Sequence, residues 1–162
     1  MPLEKQLLKF ETSHNHMSLV QLGADVEIIN GKMCYVKFLI NNLEISYIYH
    51  INKTGKYFLE RIKPYPLPIK EFENEDDVLK IIKIDKKQFE NATHSSNIDN
   101  FIAINRALNK TIKKFEDLFL YYNVPDYENE IIIKKIKEIQ DEIDKTANDS
   151  KRIFFEKEPL NI

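Results

Sequence analysis

The chain has 162 residues, 43% of them hydrophobic and 31% charged, with only 3 Gly and 6 Pro, a balance that fits one globular unit and excludes collagen-like, low-complexity and mainly disordered chains. Lys and Arg number 24 against 26 Asp and Glu, a net charge of −2 at pH 7, so no overall cationic field favours nonspecific nucleic-acid binding. The excess of Ile, Lys and Asn (23, 21 and 15 residues) over three arginines follows A/T-rich codons, as in a microbial or viral genome. Lysine clusters are therefore weak signals here, whereas Arg61, Arg106 and Arg152 carry more information, because guanidinium offers a planar fork of donors that lysine cannot copy.

In chain order, Leu3, Leu7, Leu8 and Phe10 predict a short amphipathic helix ending near Thr12-Ser13. The opening Met1-Pro2-Leu3-Glu4-Lys5 lacks a basic region leading into an apolar run, and no run approaches the roughly 18 residues of a membrane span. The single cysteine, Cys34, rules out an internal disulfide and suits a reducing compartment. These features together predict a soluble, cytoplasmic protein.

Residues 24 to 63 are rich in β-branched and aromatic side chains, punctuated by Asn30-Gly31, Asn41-Asn42 and Thr54-Gly55, and predict a four-stranded antiparallel β-meander. A two-residue Asn41-Asn42 turn sets Ile40 opposite Leu43, Phe38 opposite Ile45, Val36 opposite Tyr47 and Cys34 opposite Tyr49. Those pairs form an inner face, and Cys34 on it behaves as a small apolar group. The second face then pairs Tyr35 with Ile48, Lys37 with Ser46 and Met33 with His50. A three-residue loop, Ile29-Asn30-Gly31, with a bulge at Gly31 keeps Val26 on the inner face opposite Cys34. The last strand, ending near Lys63, admits two registers, with either Phe58 and Ile62 or Tyr57 and Leu59 inward.

Pro64, Pro66 and Pro68 remove three backbone donors and predict a stiff extended connector that stops sheet and helix alike. Asn74, followed by Glu75, Asp76 and Asp77, predicts a helix start running to about Glu90, with Val78, Leu79, Ile82 and Phe89 covering the sheet. Ser96 or Asn97 caps a longer helix from Ile98. Its residues Phe101, Ile104, Leu108, Thr111, Phe115, Leu118 and Tyr122 alternate spacings of three and four, and Ile98, Ile102, Ile112 and Phe119 widen that surface. Pro125-Asp126 breaks it, and Ile132, Ile136, Ile139 and Ile143 form the stripe of a further helix. The expected fold is α+β: a four-stranded antiparallel β-meander covered by a helix, then a C-terminal antiparallel helical hairpin over 98–147 and an extended tail carrying Ile153-Phe154-Phe155. Residues 1–97 and 98–162 are read as two parts of one compact unit.

No motif specifies a reaction. His14-Asn15-His16 spells a nuclease signature without its metal-fold context and reads as a polar loop. Glu73, Glu75, Asp76 and Asp77 lack the spacing of a calcium loop and serve better as a helix start. Gly23, Gly31 and Gly55 are too far apart for a phosphate loop. The basic and aromatic strip Lys53, Lys56, Tyr57, Phe58, Arg61, Lys63 and Tyr65 fits a protected edge strand better than a nucleic-acid surface. No cofactor or metal is expected.

The leading functional expectation is a nonenzymatic interaction or regulatory protein, a homo-oligomer that binds or sequesters a macromolecular partner, as a microbial or viral inhibitor does. Its partner-binding residues are Phe101, Ile104, Leu108, Phe115, Leu118, Tyr122, Ile132, Ile136, Ile139 and Ile143, with an open sheet edge as the other docking route. The alternative is a small-ligand or nucleotide-binding module using Tyr35, Lys37, His50 and Arg61. A third reading is a hydrolase with His50 or His94 as base.

Overall fold

The computed structural model describes residues 33–162. Strand β1 (Met33–Ile40) turns through Asn41 and Asn42 into β2 (Leu43–Ile51). Both asparagines have positive φ, 47° and 66°, as a two-residue hairpin turn requires and as asparagine tolerates better than most residues with a side chain. This turn fixes the register expected from the sequence on both faces, from Ile40 opposite Leu43 to Met33 opposite His50. The next turn is organised by Asn52, whose side-chain oxygen accepts hydrogen bonds from the amides of Thr54 and Lys56, both at 3.0 Å, and from the Thr54 hydroxyl at 2.7 Å. It leads into β3 (Tyr57–Lys63), antiparallel to β2. Of the two registers open for this strand, the molecule adopts the one with Tyr57 and Leu59 inward, and Leu59 is fully buried.

The proline segment does not end the sheet as expected. After Pro64 and a buried Tyr65, β4 (Leu67–Phe72) pairs antiparallel with β3 and completes the order β1-β2-β3-β4. Proline is tolerated there because a strand at the end of a sheet needs ladder donors on one side only, and the pairing slips between Leu59 and Glu60, just where Glu60 meets Pro68. The expected helix at Leu3 to Phe10, the His14-Asn15-His16 loop, the strand holding Val26 and the Ile29-Asn30-Gly31 turn lie outside the described residues.

Helix α1 (Glu75–Ala92) starts as predicted, with the Asn74 side-chain oxygen accepting from the Asp77 amide at 2.9 Å and three carboxylates in the first turn. Its buried face is Val78, Ile82, Asp85 and Phe89, packed on Ile40, Ile45, Tyr47, Tyr49 and Leu59 of the sheet. Leu79, expected to help cover the sheet, is 41% exposed, since it sits about 100° around the helix from Val78. The predicted helical pair follows as α2 (Ile98–Tyr121) and α3 (Asp126–Asp149), with Pro125 immediately before α3. Asn97 stands at the start of α2, though its side chain makes no capping bond. Helix α2 is fastened to the proline segment: Arg106 Nε donates to the Pro64 carbonyl at 3.1 Å and the Asn109 amide to that of Pro66 at 3.3 Å. No helix among the described residues is long and apolar enough to cross a membrane.

Candidate functional site

Two places in the molecule carry features that packing alone leaves open. The first is the helical pair. Ile102 is the one buried residue of α2, and α3 has none. Phe101, Leu108 and Phe115 are 42–43% exposed, Ile136, Ile139 and Ile143 48–50%, and Ile104 and Tyr122 more so. Leu118 and Ile132 are half-buried. The structure thus places the ten expected partner-binding residues on α2, α3 and the short link between them, none of them fully covered. The tail beyond α3 is organised by Arg152, which forms a two-pronged ion pair with Glu158 at 2.7 and 2.9 Å and donates to the Phe154 and Lys157 carbonyls.

The second is a buried polar cluster that sequence reasoning missed. Alternation along β3 turns Tyr57, Leu59 and Arg61 inward, and the helical spacing 78, 82, 85, 89 turns Asp85 toward them. Arg61 Nε and Nη2 reach the two Asp85 carboxylate oxygens at 3.0 and 2.8 Å, and the Tyr47 hydroxyl donates to Asp85 at 2.6 Å. Arg61 is only 5% exposed. Burial alone would depress its pKa, but the Asp85 carboxylate more than offsets this and raises it, so the guanidinium is held charged. Burial, then the Asp85 charge, pushes the Tyr47 hydroxyl far above the ordinary phenol value. The guanidinium lies 4.8 Å from the Phe89 ring centroid and 5.1 Å from that of Tyr65, while its Nη1 has no hydrogen-bond partner. A buried donor left without an acceptor costs about 1–3 kcal/mol, which the flanking ring faces offset in part. Beside this cluster lies a cavity of about 280 Å³, lined by Arg61, Tyr65, Asp85, Gln88, Phe89, Ala92 and Phe101. The signal that could have found it was a charged residue falling on the apolar line of α1: a buried carboxylate demands a cation, and Arg61 was the one arginine on an inward strand position.

The other expected ligand contacts do not join Arg61. Tyr35, Lys37 and His50 stand on the opposite face of the sheet. Tyr35 is 58% exposed, and Lys37 shares Glu44 with Lys63 at 3.6 and 3.3 Å. The hydrogen bond from Lys63 is the main cause holding the Glu44 carboxyl below its usual range. His50 stacks at 5.6 Å on Phe58 and has a backbone carbonyl, that of Ile51, as its polar neighbour. His94 lies exposed in the loop between α1 and α2. Among the described residues neither histidine has a carboxylate partner, and no three His, Cys, Asp or Glu side chains converge as a metal site would need. The half-buried Cys34 packs against the sheet core, and hydrogen bonding to Cys34 and Glu75 raises the Tyr49 hydroxyl above its ordinary value. No known family, curated protein or solved structure matches the chain.

Proposed function

We propose that this chain is a nonenzymatic interaction protein that self-associates through its C-terminal helical pair and presents the assembled helices to a macromolecular partner, in a regulatory or sequestering role. The observation that carries the reading is the half-exposed apolar stripe on both α2 and α3. Each helix has 24 residues, about 36 Å of length, and helices of this kind draw most of their stability from burying such a stripe. The two helices also differ in charge. Helix α2 carries four cations (Arg106, Lys110, Lys113, Lys114) against three carboxylates, whereas α3 carries eight carboxylates against four lysines. A second copy of the chain therefore offers each helix an apolar face of matching spacing and an oppositely biased rim. Two stripes of this length can supply the roughly 800 Å² per partner of a standard stable interface. In this reading the Asp85 carboxylate, engaged by three hydrogen bonds, is a packing element of the fold.

Sedimentation equilibrium of the chain, set against the double variant Leu108→Glu with Ile139→Glu, tests the proposal. A dimer or higher species should become a monomer in the variant, while the near-ultraviolet tyrosine signal of the sheet persists. A wild-type chain that stays monomeric at the highest attainable concentration would overturn it.

A further inference from the structure

We propose that the turn end of the helical pair docks a basic, arginine-bearing segment of another protein. The end of α2, the link 122–125 and the first turn of α3 form this tip, and they carry an aromatic and apolar surface that the fold leaves uncovered. Phe119, Leu120, Tyr121, Tyr122 and Tyr127 are 60–78% exposed, and Phe119 meets the Phe115 ring at 6.3 Å. Phe119, Leu120 and Tyr121 follow one another around α2 at about 100° each, so one helix lying along the stripe cannot cover all three. The tip is therefore surplus to the seam of the proposed assembly, and a contiguous exposed apolar patch of this kind marks an interaction site.

Charge selects the partner. From Phe115 to Ile133 the chain has five carboxylates, Glu116, Asp117, Asp126, Glu128 and Glu130, and no Lys or Arg. Among the described residues none of the five has an ion-pair partner, and all but the half-buried Glu128 are exposed. The fold accounts for Asp126 and Glu128, which sit in the first turn of α3, where the positive end of the helix dipole favours them. It does not account for Glu116 and Asp117. They stand just before the last turn of α2, a turn with no basic residue, toward the negative end of the dipole, which does not favour a carboxylate. Lys113 precedes them by three and four residues, the weaker order for a helical ion pair. A guanidinium answers both features of the tip: it pairs with a carboxylate through two parallel hydrogen bonds and lies on the face of a tyrosine or phenylalanine ring. Nucleic acid and anionic membrane are repelled by the same carboxylates. The inference rests on the reading above for the helical pair as a docking element and adds the chemistry of the partner.

The probe is a short fluorescein-labelled peptide of arginine and leucine, and its control carries glutamate in place of each arginine. Titrated with the full chain and followed by anisotropy, the arginine peptide should bind saturably and more weakly as salt rises, and the glutamate peptide should not bind. Two variants locate the contact. Glu116→Gln with Asp117→Asn and Glu130→Gln removes three exposed charges and should weaken binding about tenfold. Tyr121→Ser removes an exposed ring outside the stripe and should weaken it about threefold. Circular dichroism of both variants should match that of the unchanged chain. No saturable binding, equal binding of the two peptides, or full affinity in either variant would each overturn the site. Phosphatidylcholine vesicles in a parallel run should leave the chain in solution, and a chain carried down with them would overturn it in favour of a lipid anchor. Sedimentation of the same samples keeps the two readings apart: a monomeric chain that binds the peptide removes the assembly and leaves the tip, whereas a dimer that does not bind it removes the tip alone.

Discussion

The sheet with α1 and the helical pair are built from similar amounts of apolar side chain and use it in opposite ways. On the inner face of the sheet Ile45, Tyr47 and Leu59 are completely buried, and Val78 of α1 seals them. On α2 and α3 a comparable set of Ile, Leu and Phe is half-exposed or more, with Ile102 as the buried exception. The difference teaches that amphipathic spacing predicts an element but not its partner. In α1 the stripe is answered by the sheet below it, whereas in α2 and α3 much of it stays exposed. The attachment of α2 to the rest joins hydrogen bonds from Arg106 and Asn109 to the carbonyls of the proline segment with ring contacts of Phe101, in its first turn, to Tyr65 and Phe89.

The contrast can be broken at its firmest point first. Asp85→Ala leaves Arg61 buried without its carboxylate and should cost about 3–5 kcal/mol of stability in denaturant unfolding, and a cost near zero would show that Arg61 finds water instead. Ile82→Ala on α1 should cost about 2–5 kcal/mol. The same truncation at Ile139 on α3 should stay within about 0.5 kcal/mol when the chain is diluted to monomer. Equal costs would erase the distinction between the two regions. Alkaline unfolding sharpens it further. In the unfolded chain Tyr47 ionises near its ordinary value of 10.0, while burial keeps it protonated in the folded chain. The folded state therefore binds more protons above that pH, and stability falls by up to about 1.4 kcal/mol per pH unit past 10. Tyr47→Phe should flatten part of that fall, measured by urea melts from pH 9 to 11. A smaller loss than at Ile82 is expected at Asn74→Ala, about 1 kcal/mol from the lost helix cap, read from the same melts.

The legible parts of the fold were those fixed by local chemistry. The Asn41-Asn42 turn and strict alternation determine the β1–β2 register residue by residue, and Asn74 with its acidic successors determines where α1 begins. Strand β4 was hidden because three prolines argue against a sheet in general, while the permission to use one there depends on being at the end of the strand order, a fact of topology. The Arg61–Asp85 pair was hidden for a related reason. Arg61 and Asp85 are each unremarkable within their own element, and the demand that one places on the other arises only when β3 and α1 are packed together. Among the candidate contacts, Tyr35, Lys37 and His50 share one face, as alternation dictates, whereas Arg61 lies on the other, because the sequence admits two registers for β3 and only packing selects between them.

Any strand approaching the free side of β4 meets Pro68, which offers no donor, followed by the charged Lys70 and Glu71. That makes this margin a poor template for cross-β growth between molecules. Should concentrated solutions of the chain lose solubility, recruitment of strands along β4 should not be the route, because the sheet is closed on its proline side.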